Sequence, residues 1–386
     1  MRGDSYSKII NKGFMTKKIL FTGYYGFNNF GDDLFGLACI NGLNSFCDQH
    51  IPIILSPPVG RGGANYLVPK TLGRLYKNEG VIGKALRAVF MIYGCLRYKD
   101  VVLSGGSVIS SGGSHRIRRI QYFFTKIGFC RLSAIGVSIG PFSCENDKAE
   151  AKLFINSLSY LTVRDEASVK ECKLLGITVE PRLYNDLAGC VSLPIVSGFK
   201  IKNKTLGVSI CRYESIVGAD PERERLRNMS IFEGIADFAV KNGFKVKILI
   251  LNANKTVGDA DISKSFFAYL VANEVSAEVI DYVDPVESLT VISECDLFFS
   301  VRLHGAISAY LLDVPFLLVE YHVKCKDFLD YIGFDKKNRI AADVIEKRHV
   351  TNCLEAILQE GKKHSIEPPE YMEKSNEMFT ESPWVK

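Results

Sequence analysis

The chain has 386 residues, 47% of them hydrophobic, which excludes global disorder and sets a length prior of roughly two domains. Its eleven cysteines are odd in number and contain no CxxC pair, so neither a disulfide framework nor a zinc ribbon is expected, and reduced thiols in a cytoplasmic protein are the reading. Net charge is only +5; no run reaches the roughly 20 apolar residues of a membrane span, and Met1 to Lys18 lacks the apolar centre of a secretory signal.

Residues 1–16 read as an extension, with Met15 as an alternative start. KKILFTGYYG, from Lys17, reads as a buried strand entering a glycine turn, followed by a helical stretch from Asp32 to Cys47. Gly23, Gly26 and Gly31 permit close backbone approach to a ligand, and the helix start offers amides to an anion. There is no GxGxxG and no Walker lysine, so dinucleotide or nucleoside triphosphate binding gains no support. Asp32 and Asp33 sit at the helix start, where capping accounts for one of them, and Asn28 and Asn29 suit the turn itself.

Short apolar strands then recur: IPIILS (Ile51 to Ser56), DVVLSGGS (Asp100 to Ser107), SAIGVSIGP (Ser133 to Pro141) and YLTVRD (Tyr160 to Asp165). Strand, turn and helix in repetition argue a parallel sheet covered on both faces. Between Arg61 and Arg131 stand thirteen basic residues against two acidic ones, Glu79 and Asp100, a local charge of +11. From Lys70 to Lys99 the bases interleave with apolar residues, which fits a helix on an anionic membrane surface and equally a solvated helix face packed on the core. No nucleic-acid recognition motif accompanies them, and nucleic acid is not an expected partner. The glycines of SGGSVISSGGS, Gly105 and Gly106 among them, with His115 and Arg116, Arg118 and Arg119 beyond, fit phosphate or sugar contacts and equally a mobile surface loop.

Around Val191 to Lys204 the periodicity lapses, and a second strand series follows: TLGVSI, KVKILIL, AEVIDYV, CDLFFSV and VPFLLVE. This places an N-terminal Rossmann-like domain at 17–195 and a C-terminal one at 196–345. The remainder, 346–386, holds a short amphipathic helix (Val350 to Gln359) and a polar, proline-bearing surface tail. The expected fold is α/β, two doubly wound Rossmann-like domains facing across a cleft, with ligands at the carboxyl ends of the strands. Arg212, and Arg302 with His304, each follow a strand of the second series; on one parallel sheet they emerge at the same edge. Convergent arginines suit a small dianion, and His304 can exchange a proton near neutral pH. The competing account gives Arg302 a structural salt bridge and His304 a helix start to satisfy. Asp259-Ala260-Asp261 reads as a solvated turn, and no HExxH, paired-cysteine or DxD-like cluster calls for a metal.

In order along the chain, GYYGFNNFGDD, SGGS after Asp100, GVSIGP at Gly136, VRDEAS at Val163, NDLA at Asn185 and SVRLHGAISAYLLDVPFLLVEYHVKCKDFLDYIGF resemble the polysaccharide pyruvyl transferase family, from roughly Lys17 to Phe334. The resemblance implies a two-domain fold of the glycosyltransferase-B type. It implies transfer of the pyruvyl group of phosphoenolpyruvate onto sugar hydroxyls as a ketal, with release of phosphate, in surface polysaccharide biosynthesis. It carries the family's RxH onto Arg302 and His304, its arginine after the first strand of the second domain onto Arg212, its NxGD[ED] turn onto Asn29, Gly31, Asp32 and Asp33, and its YxxK step onto Tyr321 and Lys324. One departure is Ser104-Gly105-Gly106-Ser107, where the family often has GGG.

For that chemistry Arg212, Arg302 and Lys324 would bind the phosphate and carboxylate, and His304 would protonate the methylene carbon or partner the departing phosphate. Asp32, Asp33 or Asp186 would accept a hydroxyl proton or a sugar hydrogen bond. The N-terminal domain is expected on the acceptor side and the C-terminal one on the phosphoenolpyruvate side, with no cofactor beyond that donor. Expected partners are a glycan acceptor, polyprenyl-diphosphate-linked forms included, and an anionic membrane touched peripherally through Lys70 to Lys99, at the inner face of the cytoplasmic membrane. Two other readings compete. One is a nucleotide-sugar-dependent glycosyltransferase of the same fold, with Glu287 or Glu294 as the ribose-binding carboxylate; the other is a non-catalytic glycan-binding assembly subunit, whose mark would be loss of the cleft arginines or His304.

Overall fold

The computed structural model describes residues 16–47, 49–60, 64–193, 203–212, 220–342 and 346–384; the proposed extension before Met15 and the domain boundary at 195/196 lie outside them. β1 (Lys18–Thr22) and its buried apolar residues lead into α1 (Phe30–Phe46), and β2 (Ile51–Ile54), β3 (Asn65–Tyr66), α2 (Gly73–Tyr76) and α3 (Val81–Arg97) follow. Next come β4 (Asp100–Ser104), α4 (His115–Lys126), β5 (Arg131–Val137), α5 (Glu145–Ile155), β6 (Tyr160–Val163), α6 (Glu166–Leu175) and β7 (Arg182–Leu183). These strands form one parallel sheet in the order β3-β2-β1-β4-β5-β6-β7, with Leu20 of β1 opposite both Ile53 and Val101.

The second half repeats the plan with β8 (Thr205–Ser209), α7 (Pro221–Asn242), β9 (Lys245–Leu249), α8 (Ala260–Ala272), β10 (Ala277–Ile280) and α9 (Pro285–Ser293). It continues through β11 (Leu297–Ser300), α10 (Leu303–Leu311), β12 (Phe316–Glu320), α11 (Val323–Tyr331), β13 (Ile340–Ala341), α12 (Lys347–Glu360) and α13 (Pro368–Thr380). Its parallel sheet runs β10-β9-β8-β11-β12-β13. In each sheet the chain leaves the first strand in one direction and returns to its other side, between β1 and β4 and between β8 and β11. Such reversals open a crevice at the carboxyl ends of the strands. The two-residue strands β3, β7 and β13 at or near the sheet edges carry too little pattern to be read from sequence, whereas the four- to seven-residue buried strands are legible.

The two halves are stitched together by main chain. Phe30 N donates to Leu251 O at 2.8 Å and Ala253 N to Asn28 O at 2.8 Å, with Asn29 and Asn252 forming an antiparallel bridge between them. Beside this seam Tyr282 donates its hydroxyl to Asp33 Oδ2 at 2.7 Å.

The tail departs from expectation. Rather than lying as a polar surface segment, it returns to the N-terminal half as α13 and buries Tyr371, Met378, Phe379 and Trp384. Asn185 Nδ2 donates to Tyr371 O at 3.0 Å, and Tyr160 Oη to Met378 O at 3.1 Å. Phe379 fills the space over Gly42 of α1, where an added Cβ would stand 2.4 Å from its ring. The physical reason is that Tyr371, Ser375, Met378 and Phe379 recur at helical spacing, a stripe masked in sequence by the polar residues between them. Phe379→Ala is therefore expected to destabilise the protein by about 3–5 kcal/mol, measured as a lower urea midpoint with unchanged slope.

Candidate active site

The crevice between the two sheets holds a cavity of about 230 Å³. Three helices begin at its wall: Asn29, Phe30, Gly31 and Asp32 come from the start of α1, Arg302, Leu303 and His304 from α10, and His322, Lys324 and Cys325 from α11. A helix start presents unpaired amides and a partial positive charge, so three of them meeting in one cavity favour an anion. Asn29 and His322 cap their helices through Gly31 N and Lys324 N. Arg302, in the capping position of α10, makes no side-chain cap, which leaves the first amides of that helix without a capping side chain.

Two arginines line the cavity, each held by a buried carboxylate. Arg302 donates from Nε (2.9 Å) and Nη2 to Asp259, and Arg164, just past β6, donates from Nη1 to Asp186 at 2.5 Å and from Nε to Ser138 Oγ at 2.9 Å. In each guanidinium one terminal nitrogen remains uncommitted among the described residues. Lys324 reaches across the cleft from α11 to the hydroxyl of Ser107, after β4, and has no carboxylate within ion-pair distance among the described residues. Burial, with Arg164 nearby, brings its ammonium down to about 8.

His304 is wedged at the seam. Its ring meets Phe35 edge-on with centroids 4.9 Å apart, and an added Cβ on Gly31 would fall 2.3 Å from its Nδ1. Its Nε2 is buried and lies 3.7 Å from Asp186 Oδ2, an ion-pair rather than a hydrogen-bond separation. Burial acts to raise Asp186, but the Arg164 guanidinium outweighs it, with help from His304 and the Ala188 amide, and holds the carboxylate well below its usual range. Asp186 is thus a fixed counter-charge. Asp32 differs: burial, reinforced by Asp33 and opposed by Arg164 and Arg302, brings it up to about 7.

The structure therefore brings together Asn29, Gly31, Asp32, Arg302, His304 and Lys324 around one cavity. It places the other candidates elsewhere. Arg212 does not line the cavity; its guanidinium is 40% exposed and lies 3.4 Å from Asp261. Asp33 points away, accepting from Gly26 N at 2.5 Å and from Tyr282, and serves the turn and the seam. Gly105 and Gly106 have φ of +67° and +74°, and Gly105 packs on Phe35, so both shape the loop that presents Ser107. Asp186 stands behind His304 and Arg164 instead of facing the cavity. Of the basic cluster after the loop, three members are committed: Arg118 is buried and donates to Val108 O at 2.9 Å, while His115 and Arg119 pair with Glu150. Of the two carboxylates considered for a ribose, Glu294 pairs with Lys247 just ahead of β11, at the sheet edge opposite the crevice. Among the described residues no group of three His, Cys, Asp or Glu is arranged to hold a metal ion.

Sequence reasoning missed Arg164 and Asp259. Arg164 was signalled by its position one residue past a strand, the same logic that singles out Arg302. Asp259, in a stretch whose sequence reads as a solvated turn, is fully buried, because Arg302 and the Asn252 amide both donate to it.

The fold defines a two-domain α/β protein of the glycosyltransferase-B type. UDP-GlcNAc 2-epimerase from Methanocaldococcus jannaschii superposes over 94% of this chain and 98% of its own, with TM-score 0.61 at 14% identity. The Neisseria meningitidis UDP-GlcNAc 2-epimerase bound to UDP-GlcNAc covers 94% of each chain with TM-score 0.55 at 10% identity. Anabaena HepE in complex with UDP and glucose covers 94% of this chain and 95% of its own, with TM-score 0.53 at 11% identity. Comparison with curated protein sequences returns no match. A family model described as polysaccharide pyruvyl transferase matches residues 29–323, and the chain belongs to that family.

Because Gly31 alone leaves room for the imidazole, Gly31→Ala is expected to displace His304. Turnover should fall about 100-fold while the far-UV circular dichroism stays native.

Proposed function

We propose that the protein transfers the pyruvyl group of phosphoenolpyruvate to two hydroxyls of a sugar, forming a cyclic ketal and releasing phosphate. The observation that carries this reading is the convergence of three helix starts, Lys324 and the free edges of Arg164 and Arg302 on one small cavity with His304 in its wall. At about 230 Å³ that cavity is sized for a three-carbon phosphate ester.

In this reading the donor phosphate and carboxylate lie against the helix starts, Lys324 and the two arginines. A proton delivered to the methylene carbon from the His304 imidazole leaves an oxocarbenium-like centre at C2. One sugar hydroxyl adds to that centre and gives its proton to Asp32, whose raised affinity near neutral pH suits a base. The second hydroxyl then adds at C2 as the C2–O bond to phosphate breaks; its proton passes to His304, replacing the one given to the methylene carbon, and phosphate leaves with the electron pair of the broken bond. Asp186 steadies the imidazolium form, and Asp259 holds Arg302 in register without touching substrate.

The test is incubation of the protein with phosphoenolpyruvate and a panel of synthetic and lipid-linked glycosides, following phosphate and acceptor mass. An acceptor gain of one pyruvylidene unit is expected, with Arg302→Ala and His304→Ala each lowering kcat/KM about 100- to 1,000-fold. Thermal stabilisation by nucleotide sugars and none by phosphoenolpyruvate would overturn the donor assignment.

The pH profile gives a second check. Asp32 must be ionised to act as base, so kcat/KM should rise through pH about 7; Lys324 must be charged to hold the donor, so it should fall above pH about 8. Lys324→Arg is expected to keep the KM for phosphoenolpyruvate flat above pH about 8, where that of the wild type rises, and a wild-type KM that stays flat there would remove Lys324 from donor binding.

A further inference from the structure

α3 is apolar on two faces. Gly83, Met91, Gly94 and Cys95 are buried, Gly94 over Leu20 of β1 and Gly83 against Leu75 and Asn78. Val81, Ile82, Val89, Ile92, Tyr93 and Leu96 fall at 100° per residue within one arc of about 120°, and they are 82%, 65%, 59%, 36%, 49% and 50% exposed. An ordinary surface helix carries polar residues there. The stripe does not stop at the helix end. Lys99 Nζ donates to Gly128 O at 3.2 Å, bringing the end of α3 beside the end of α4, where Phe123, Ile127 and Phe129 are also more than half or about half exposed.

The charge around this face has one sign. From Gly80 to Arg131 the sole acidic residue is Asp100, which is buried and pairs with Arg131. On the α5 side Glu150 is taken up by His115 and Arg119. Lys84, Arg97, Arg116 and Lys126 are exposed and have no carboxylate within ion-pair distance among the described residues.

We propose that the α3 and α4 face docks on an anionic lipid bilayer, the apolar stripe entering the headgroup boundary and the surrounding bases meeting lipid phosphates. A second copy of the chain is a poor occupant, because a symmetric contact through this face would set bases against bases. The face also borders the cleft: Lys77 Nζ donates to Asn28 Oδ1 at 3.0 Å, and the Arg87 guanidinium stands 5.6 Å over the Phe27 ring, both at the glycine turn after β1. A lipid-linked glycan could thus pass from the bilayer into the cavity. That last step rests on the pyruvyl-transfer reading, whereas the membrane contact does not.

The test is flotation with vesicles of phosphatidylglycerol and phosphatidylcholine, and with vesicles of phosphatidylcholine alone. Binding is expected to the first and not to the second. Val89→Asp with Leu96→Asp, and separately Lys84→Glu with Arg97→Glu and Lys126→Glu, should each lower the partition at least about tenfold with melting temperature unchanged. Absence of flotation with the anionic vesicles, or flotation undiminished in both variants, overturns the proposal. So does a wild-type dimer on size exclusion that Val89→Asp with Leu96→Asp turns into a monomer, since the face would then belong to a protein contact. Flotation retained by a preparation inactive toward phosphoenolpyruvate leaves the membrane contact standing and removes only the reading of the cleft.

Discussion

The main-chain bridge between Asn28–Phe30 and Leu251–Ala253 is the constraint on which the site depends. Backbone hydrogen bonds fix position in a way that long polar side chains do not, and these two lock the start of α1 to the end of β9. The glycine turn after β1 is thereby held against the C-terminal sheet, and Gly31 comes to lie against His304. Were the seam shifted by an ångström, the imidazole would lose contact with α1, Phe35 and Asp186 together. The doubly wound order of each sheet then does the rest, because both crevices open toward the same seam.

The electrostatics of the cavity follow from burial. Arg164 and Arg302 bring two charges into a low-dielectric wall, and each is matched by a buried carboxylate, Asp186 and Asp259. Such pairs contribute little net stability, since desolvation roughly cancels their attraction. Their value lies in geometry: Asp259 for Arg302, and Asp186 together with Ser138 for Arg164, fix the plane of a guanidinium that would otherwise sample many rotamers. With the arginines neutralised pairwise, the positive bias left for a ligand comes from three helix starts and from Lys324. Burial and the Arg164 charge lower the lysine, and Asp165 and Asp186 oppose them, so it falls only to about 8 and keeps its charge at neutral pH.

Much of the fold was legible in the sequence, for a physical reason. The buried strands of a parallel sheet are continuous apolar runs of four to seven residues, and YLTV, DVVLS or FLLVE can hardly be mistaken for a solvated segment. The strands β3, β7 and β13 leave no such trace because two residues carry no periodicity. The site was legible where one residue type at one strand end suffices, as for Arg302 and His304. It was obscured where meaning arises only from a distant partner. Asp259 becomes buried because Arg302 lies 43 positions away in sequence and adjacent in space, and Arg212 leaves the cavity although its strand lies beside that of Arg302. The apolar stripe of α3 was visible as composition, but that it faces outward could be seen only once Gly83, Met91, Gly94 and Cys95 had claimed the inner side.

The return of α13 to the first half restricts how this molecule can breathe. Two-lobed proteins commonly admit large substrates by swinging apart about a hinge. Here a helix carried by the C-terminal chain is anchored in α1 through Phe379 and in the Asn185–Asp186 segment through Tyr371, while Tyr371 also packs on Tyr310 of α10. A wide swing would pull these two aromatic rings from their seats, at about 1.5–3 kcal/mol of lost burial for each. The lobes are thus clasped rather than jointed. Traffic to the cavity is confined to its open rim, which admits a small anion whole and a long glycan only by its end.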